Sequence, residues 1–460
     1  MNSSKIKIDT RKGLLKLALV IVLILIQGIL FYITWINEYN ILLRLPYIFK
    51  GNLFLTIMYM ILLYIFMIVF DCNNLPELKP SSIILSESLS IIFCNMTIYL
   101  IAIMPAAATG FLPIAPLGLL TIDNIIVIII WVIFVYLLFK KMFPISKLLL
   151  ITNDNSVDDI LYKFSRRVDL YEISDKIVAR NDNLDEVFEK CKEYDNVLIG
   201  DLVSELRNDI VKSCFNCSKN IFVIPKISDI LIKYSKELFL LDTPIYLSTN
   251  FGLSLESKFF KRLLDIIFSL IILIVFFPLW LIFAILIKIE DGGPIFYFQE
   301  RITINMKKFN IIKFRSMKIT DDDKVVPTGL IDNRITKIGG FIRKFHIDEV
   351  PQFINVLCGD MSVVGPRPER VEHVDLYSKE ISEFTYRYKV KSGITGLAQI
   401  YGKYNTSAID KLKLDLIYIK KYSIVFDLEL ILRTIKAIFS KDNTEGFGEK
   451  QQEYIMNNAK

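Results

Sequence analysis

Four apolar segments crowd the first 140 residues of this 460-residue chain, near 13–36, 53–70, 88–116 and 120–139. Each is long enough, or nearly so, to cross a hydrocarbon core about 30 Å thick at about 1.5 Å of helix per residue. One such segment reads as the buried helix of a soluble protein; four in succession do not. The excess is local, yet it lifts the hydrophobic fraction to 53% and the mean hydropathy to +0.44, beyond an ordinary soluble domain. Lys5, Lys7, Arg11, Lys12 and Lys16 precede the first segment, and Lys140, Lys141 and Lys147 follow the fourth. Lysine and arginine mark the cytoplasmic side, so both ends of the bundle are expected there; Arg44 and Lys50 in the first loop pull weakly the other way. The first segment is long for a signal peptide and lacks an obvious small-residue cleavage site. Residues 1–144 are expected to form a membrane α-helical bundle.

Residues 145–250 change character. Short apolar runs, Leu148–Thr152, Val197–Ile199 and Ile221–Ile224, alternate with the helical-looking stretches Asp185–Tyr194 and Asp201–Cys214. The alternation predicts an α/β, Rossmann-like middle domain around a parallel sheet. A dinucleotide site needs a glycine-rich turn after the first strand, and the turn here is Asn153-Asp154-Asn155-Ser156. A regulatory or assembly role fits better than redox chemistry. The six cysteines include one lone CxxC, Cys214 to Cys217, and the only histidines are His346 and His373. That excludes a histidine-rich metal centre and leaves zinc unsupported. The net charge of +6, from 55 basic and 49 acidic residues, suits an anionic membrane surface or phosphorylated substrates. It is too small to argue for nucleic acid, and no nucleic-acid-binding motif is present.

Residues 251–440 open with a fifth apolar run, Leu263–Ile287, flanked by Lys258, Lys261 and Arg262 on one side and Lys288 on the other, with Pro278 near its centre. Length alone favours a span. A span, however, puts the cation- and carboxylate-rich region downstream outside the cell, away from cytoplasmic phosphate donors. Proline lacks an N–H and clashes with the preceding turn. A helix broken at Pro278 can dip into one leaflet and return, its flanking cations reaching the same anionic surface. A re-entrant membrane helix is therefore expected, followed by a mixed α/β module and a polar tail at 441–460.

The chemistry concentrates in that module. Lys313 and Arg315 alternate along the strand-like run Phe309–Met317, so both point to one face; they either clamp a phosphate or line a solvated strand edge. Asp348-Glu349 sits at what reads as a helix start, with Asp348 as N-cap, Pro351 in the first turn, and Val350, Phe353, Ile354 and Leu357 as the apolar stripe. Two adjacent acids are only caps in most helices. Here they keep particular company: Arg334, Lys337, Arg343 and Lys344 before them, Arg367 and Arg370 after, and a rigid turn at Gly365-Pro366-Arg367-Pro368. Arginine's planar fork suits phosphate oxygens, and carboxylates among arginines stay ionised. An aspartate can attack phosphorus, and a glutamate can hold Mg²⁺ against substrate phosphates.

Seven blocks in order carry a resemblance: Asp291–Phe296, Gln299–Arg301, Lys313–Met317, Arg334–Gly339, Asp348–Gln352, Gly359–Pro368 and Gly393–Gln399. Over about 258–440 the chain resembles the bacterial sugar transferases, polyprenyl-phosphate hexose-1-phosphate transferases, in the long form with four N-terminal spans. The resemblance implies that Asp348 attacks the sugar-bearing phosphate of a UDP-sugar and passes the phosphosugar to undecaprenyl phosphate. That reaction begins a surface-polysaccharide repeat unit. It implies Glu349 as ligand of a Mg²⁺ cofactor, Lys313, Arg315, Arg343 and Arg367 as phosphate contacts, and a site role for Asp415. It also implies a re-entrant anchor in the bacterial inner membrane with the catalytic module facing the cytoplasm. The lipid bilayer, a second copy of the chain and other polysaccharide-assembly proteins are the remaining expected partners. Two positions depart from the family pattern: Phe277 stands where serine often precedes the anchor's proline, and Gly402-Lys403-Tyr404-Asn405 replaces a Gly-x-Arg-Asn-like segment. The competing readings are a non-catalytic membrane scaffold or regulator and a lipid-linked transporter; near-absence of charge in the first four spans argues against transport.

Overall fold

The structure, a computed structural model, describes residues 2–73, 78–106, 112–153, 161, 164, 170–249, 252–318, 335–402 and 406–439. Arg334, the turn at 154–156, residues 403–405 and the tail at 441–460 lie outside the described residues. The chain divides into two compact units, Met1–Ile224 and Pro225–Lys460. Among the described residues, five helical stretches are long and apolar enough to cross a membrane: Arg11–Leu42, Phe49–Val69, Pro80–Ala102, Ala115–Met142 and Leu255–Glu290.

The first unit opens with α1 (Asn2–Thr34), α2 (Phe49–Val69), α3 (Pro80–Ala106) and α4 (Ala115–Met142). The last two start earlier than the hydropathy runs at 88 and 120. Polar Ser81, Ser82, Ser86 and Glu87 hide the beginning of α3, and Pro116 stands in the first turn of α4, where a missing N–H costs nothing. Consecutive helices pack on one another, and α1 also meets α4. Large apolar side chains such as Ile61, Ile130 and Leu137 face outward, while polar groups pair inside. Trp35 Nε1 donates to Asn52 Oδ1 at 2.9 Å, and Tyr59 O–H donates to Asn95 Oδ1 at 3.1 Å. In hydrocarbon such groups must find one another. Glu87, one residue before the apolar run at 88, is also buried in α3.

The same unit continues into a four-stranded, all-parallel sheet: β1 (Ser146–Thr152), β2 (Tyr171–Val178), β3 (Asn196–Ile199) and β4 (Asn220–Val223), in the order β2-β1-β3-β4. Leu148–Ile151 of β1 lie between two neighbouring strands and are fully buried, which explains their unbroken apolar run. β2 was not legible as a strand. It lies at the sheet's edge, where Glu172, Asp175 and Lys176 interrupt the apolar pattern. The helices α5 (Leu184–Glu193) and α6 (Ser204–Asn216) bury Val187, Cys191, Leu206, Ile210 and Cys214 against Leu149, Ile151, Val197 and Ile199.

The second unit begins before the boundary expected at 250. Helix α7 (Ile227–Lys233) inserts Ile230 into the core that holds Leu412 and Leu416, and the hairpin β5 (Lys236–Leu240) and β6 (Thr243–Leu247) follows it. Ser248 and Thr249 then bond Lys420. Next comes α8 (Leu255–Asp291), 37 residues long, capped by Ser254 and ended by Gly292 at φ 71°. The expected break at Pro278 is not an interruption: Pro278 lies inside a continuous helix. A proline removes one backbone donor, and the turns on either side keep theirs.

Both flanks of α8 nevertheless seat on the same module. Arg262 donates to Val356 O at 2.5 Å and Leu357 O at 2.7 Å, and Phe268 packs on the core cluster that includes Val356. Further along, the Trp280 ring lies 5.5 Å from that of Phe314, and Phe283 and Ile287 cluster with Phe314 and Ile342. Between these contacts Ile274 is 71% exposed and Phe277 62%. The remaining elements are β7 (Phe296–Ile302) and β8 (Lys308–Phe314), α9 (Lys337–Lys344), α10 (Gln352–Cys358), β9 (Ser362–Val364), α11 (Val371–Glu380), β10 (Gly393–Thr395), α12 (Leu397–Tyr401), α13 (Ala408–Lys421) and α14 (Ile424–Phe439).

Candidate active site

Three pieces of chain build the site. β7 and β8 form an antiparallel hairpin that sets Lys313 opposite Tyr297. Helix α9 is capped by Thr336, whose Oγ1 accepts from Gly339 N at 2.9 Å, and Glu290 at the end of α8 accepts from Lys337 N at 2.7 Å. After α9 the chain reverses through His346, left-handed at φ 55°, into one 3₁₀ turn, Ile347–Glu349. Ile347 packs on the Phe283–Ile287 cluster of α8. The third piece is the turn Gly365–Pro368. It lies against β10 so closely that a Cβ on Gly365 or Gly393 would strike the opposing backbone; Gly365 N donates to Thr395 O and Gly393 N to Pro366 O, both at 2.8 Å.

These pieces meet at one oxygen. Glu349 Oε1 accepts from Lys313 Nζ at 2.8 Å and from Arg367 Nη2 at 2.9 Å. Burial alone would raise the Glu349 carboxyl, but Arg367 and then Lys313 hold it well below the ordinary carboxylate range. Asp348 moves the other way. Burial, then the adjacent Glu349 charge, raises it, against opposition from Lys313, His346 and Arg343. The neighbouring acids are thus pushed apart, a pattern typical of functional carboxylate pairs. The expectation that arginines keep both ionised agrees with the direction at Glu349 and is opposed at Asp348, where burial and then the Glu349 charge outweigh the cations.

Three local expectations need correction. Asp348 is not an N-cap: it lies within the 3₁₀ turn, and the helix begins at Gln352 with Pro351 as its cap residue. The buried face of α10 is not the stripe Val350, Phe353, Ile354 and Leu357 but Gln352, Asn355 and Val356. Asn355 turns inward because its side chain mimics a strand: Oδ1 accepts from Ile312 N at 3.0 Å and Nδ2 donates to Asn310 O at 2.9 Å. The strand-like run expected to reach Met317 stops early, with Lys313 on the strand meeting Glu349 and Arg315 beyond its end. β8 ends at Phe314, and the buried Arg315 guanidinium lies under Gly293, where any Cβ would collide with it.

Of the remaining sequence-derived candidates, Arg343 stands in the last turn of α9 and acts on Asp348 through its charge. Pro278 is in α8. Asp415, on α13, is buried, with Oδ2 2.8 Å from Arg387 Nη2. Two arginines near the site escaped the sequence reading. Arg301 donates to Pro368 O at 3.0 Å and to Gln299 Oε1 at 2.6 Å; its signal was the Gln-Glu-Arg block. Arg387, between Tyr386 and Tyr388, had no local signal. Among the described residues no cluster of three or more His, Cys, Asp or Glu could hold a metal. A divalent cation at this dyad would be held by Glu349 and would need substrate phosphates and water to complete its shell. That donor set suits Mg²⁺, which needs only one or two protein carboxylates.

Residues 256–441 match the model of the bacterial sugar transferase family. A UDP-glucose:undecaprenyl-phosphate glucose-1-phosphate transferase of Klebsiella pneumoniae is 38% identical over 271 residues, 57% of this chain and 57% of the relative. A UDP-N-acetylgalactosamine-undecaprenyl-phosphate N-acetylgalactosaminephosphotransferase of Aeromonas hydrophila is 39% identical, covering 46% and 47%. Against these two, the chain spans about half the length of the relative. A UDP-glucose:undecaprenyl-phosphate glucose-1-phosphate transferase of Caulobacter vibrioides is 38% identical over 189 residues, 40% of this chain but 71% of the relative. The fold and the match define a membrane protein with a sugar-transferase module. The chain belongs to the bacterial sugar transferase family.

Proposed function

We propose that this protein is a phosphoglycosyl transferase that moves a hexose-1-phosphate from a UDP-sugar to undecaprenyl phosphate, starting a surface-polysaccharide repeat unit. The observation that carries the reading is the Asp348–Glu349 pair with Lys313 and Arg367 gathered on Glu349. A carboxylate oxygen of Asp348 attacks the phosphorus that bears the sugar. The bond from that phosphorus to the bridging oxygen breaks, UMP leaves, and an aspartyl-phosphosugar remains. A phosphate oxygen of undecaprenyl phosphate then attacks the same phosphorus and frees the Asp348 carboxylate. Lys313 and Arg367 hold phosphate oxygens, and Arg343 keeps Asp348 ionised enough to attack. Mg²⁺ held by Glu349 supplies charge neutralisation at the phosphates.

The seating of α8 supports a cytoplasmic, inner-leaflet site. From Phe268 to Trp280 an α-helix rises only about 18 Å, short of a hydrocarbon core of about 30 Å. Residues at both ends of that stretch touch one module, and one module sits on one side of a bilayer. With both flanks on that one side, the helix does not need to cross the bilayer, and it brings the dyad to the level of a lipid phosphate. UMP release from UDP-sugars, by purified protein with Mg²⁺ and undecaprenyl phosphate, tests the reading. Asp348→Asn abolishes turnover and the trapped covalent phosphosugar; a variant that still turns over removes Asp348 from its role.

A further inference from the structure

The turn that carries Arg367 cannot hold itself. Pro366 and Pro368 have no N–H, so the turn is fastened mainly through its carbonyls, and each of three consecutive carbonyls has an outside donor. Pro366 O accepts from Gly393 N at 2.8 Å, Arg367 O from Arg387 Nη2 at 3.0 Å, and Pro368 O from Arg301 Nη1 at 3.0 Å. The middle donor is the unusual one. Arg387 is 1% exposed, the same Nη2 lies 2.8 Å from Asp415 Oδ2, and Nη1 lies 3.6 Å from Glu369 Oε1. Asp415 is equally buried, and neither residue touches Asp348 or Glu349 through any bond described above.

We infer that Arg387 and Asp415 are a positioning pair for the transfer reaction: Asp415 orients the Arg387 guanidinium, which fixes the Arg367 carbonyl and so aims the Arg367 side chain at phosphate. The inference rests on the transferase reading. A charged pair in a fully buried place is a poor way to gain stability alone, since apolar side chains of similar volume often do as well. Its geometry is specific instead, joining α13 to the backbone of the one residue whose side chain meets Glu349 from the turn. Glu369 completes the set: burial would raise it, but Arg387, then Lys411, Arg367 and Arg301, hold it low. Burial, opposed mainly by Arg387, leaves the Asp415 carboxyl pushed up to about 6.

The test is a coupling measurement on UMP release. Asp415→Asn lowers kcat/KM by about 10-fold or more, the size of effect seen when a group supporting a site residue is lost. In an Arg367→Ala background the same change adds less than about twofold, because residues that act as a unit are not additive. Effects that multiply overturn the inference. Should Asp415→Asn not fold, the double variant Arg387→Met with Asp415→Leu decides: it replaces the pair by apolar groups, keeps the wild-type melting temperature, and shows the same loss. Wild-type kcat/KM in that folded variant also overturns it. Wild-type protein without any UMP release removes the transferase reading and this inference together. A working wild type with uncoupled variants refutes the inference alone.

Discussion

Lys261→Met should be among the most destabilising single changes outside the acid pair. Lys261 Nζ donates to Asp427 Oδ2 at 2.6 Å, Tyr418 O–H at 3.1 Å and Val364 O at 2.9 Å. The two charged side chains are 7% and 1% exposed. Removing the lysine leaves a buried carboxylate without its cation, which costs about 3–5 kcal/mol. Tyr418 still donates to Asp427 Oδ1 at 2.9 Å, so the lower end, about 3 kcal/mol, applies. At about 2–4 °C per kcal/mol for a unit of roughly 150–250 residues, the melting temperature falls by about 6–12 °C. The assay is a thermal melt of detergent-purified protein followed by circular dichroism. Lys261→Met with Asp427→Leu removes both charges and should recover most of the loss. A single-variant shift below about 2 °C, or a double variant no more stable than the single, refutes the reasoning.

Arg343→Gln removes a charge that favours ionised Asp348. The folded-state Asp348 carboxyl rises further, and because the carboxylate is the attacking form, the acid limb of kcat/KM moves to higher pH. Glu349→Gln removes a cause of that rise and moves the limb to lower pH, with a lower maximum; limbs that stay in place in both variants count against Asp348 as the titrating group. Chelation with EDTA stops UMP release and added Mg²⁺ restores it, whereas turnover that survives chelation excludes a required divalent ion. Cysteines placed at Glu256 and Lys307 are both shielded from an impermeant thiol reagent in intact cells, and labelling at 307 from outside overturns the placing of both flanks of α8 on one side.

The sequence disclosed the layers and the acids but misplaced what joins them. Apolar runs long enough to span announced the helices, because hydrocarbon length is a one-dimensional requirement. β1 and β3 were visible because burial on both faces makes a strand uniformly apolar, whereas edge strand β2 carries charge and was missed. Asp348, Glu349, Lys313 and Arg367 were legible through charge neighbourhood. The place of Arg315 under Gly293 was not, because strand alternation stops mattering one residue past the strand's end. Asn355 lies outside the expected apolar stripe, yet it completes the β8 hydrogen bonds from 43 positions away. Arg387 and Asp415 had no sequence pattern linking them, since they meet only through tertiary folding.

Glu349 has a second consequence besides chemistry. Lys313 and Arg367 approach from different strands of chain, and like charges brought together would ordinarily resist folding. A shared acid removes that resistance from within, so the resting protein reaches its working shape without borrowing an anion from its surroundings. An arriving phosphate then exchanges with a partner already present, and the module is assembled before its substrate comes.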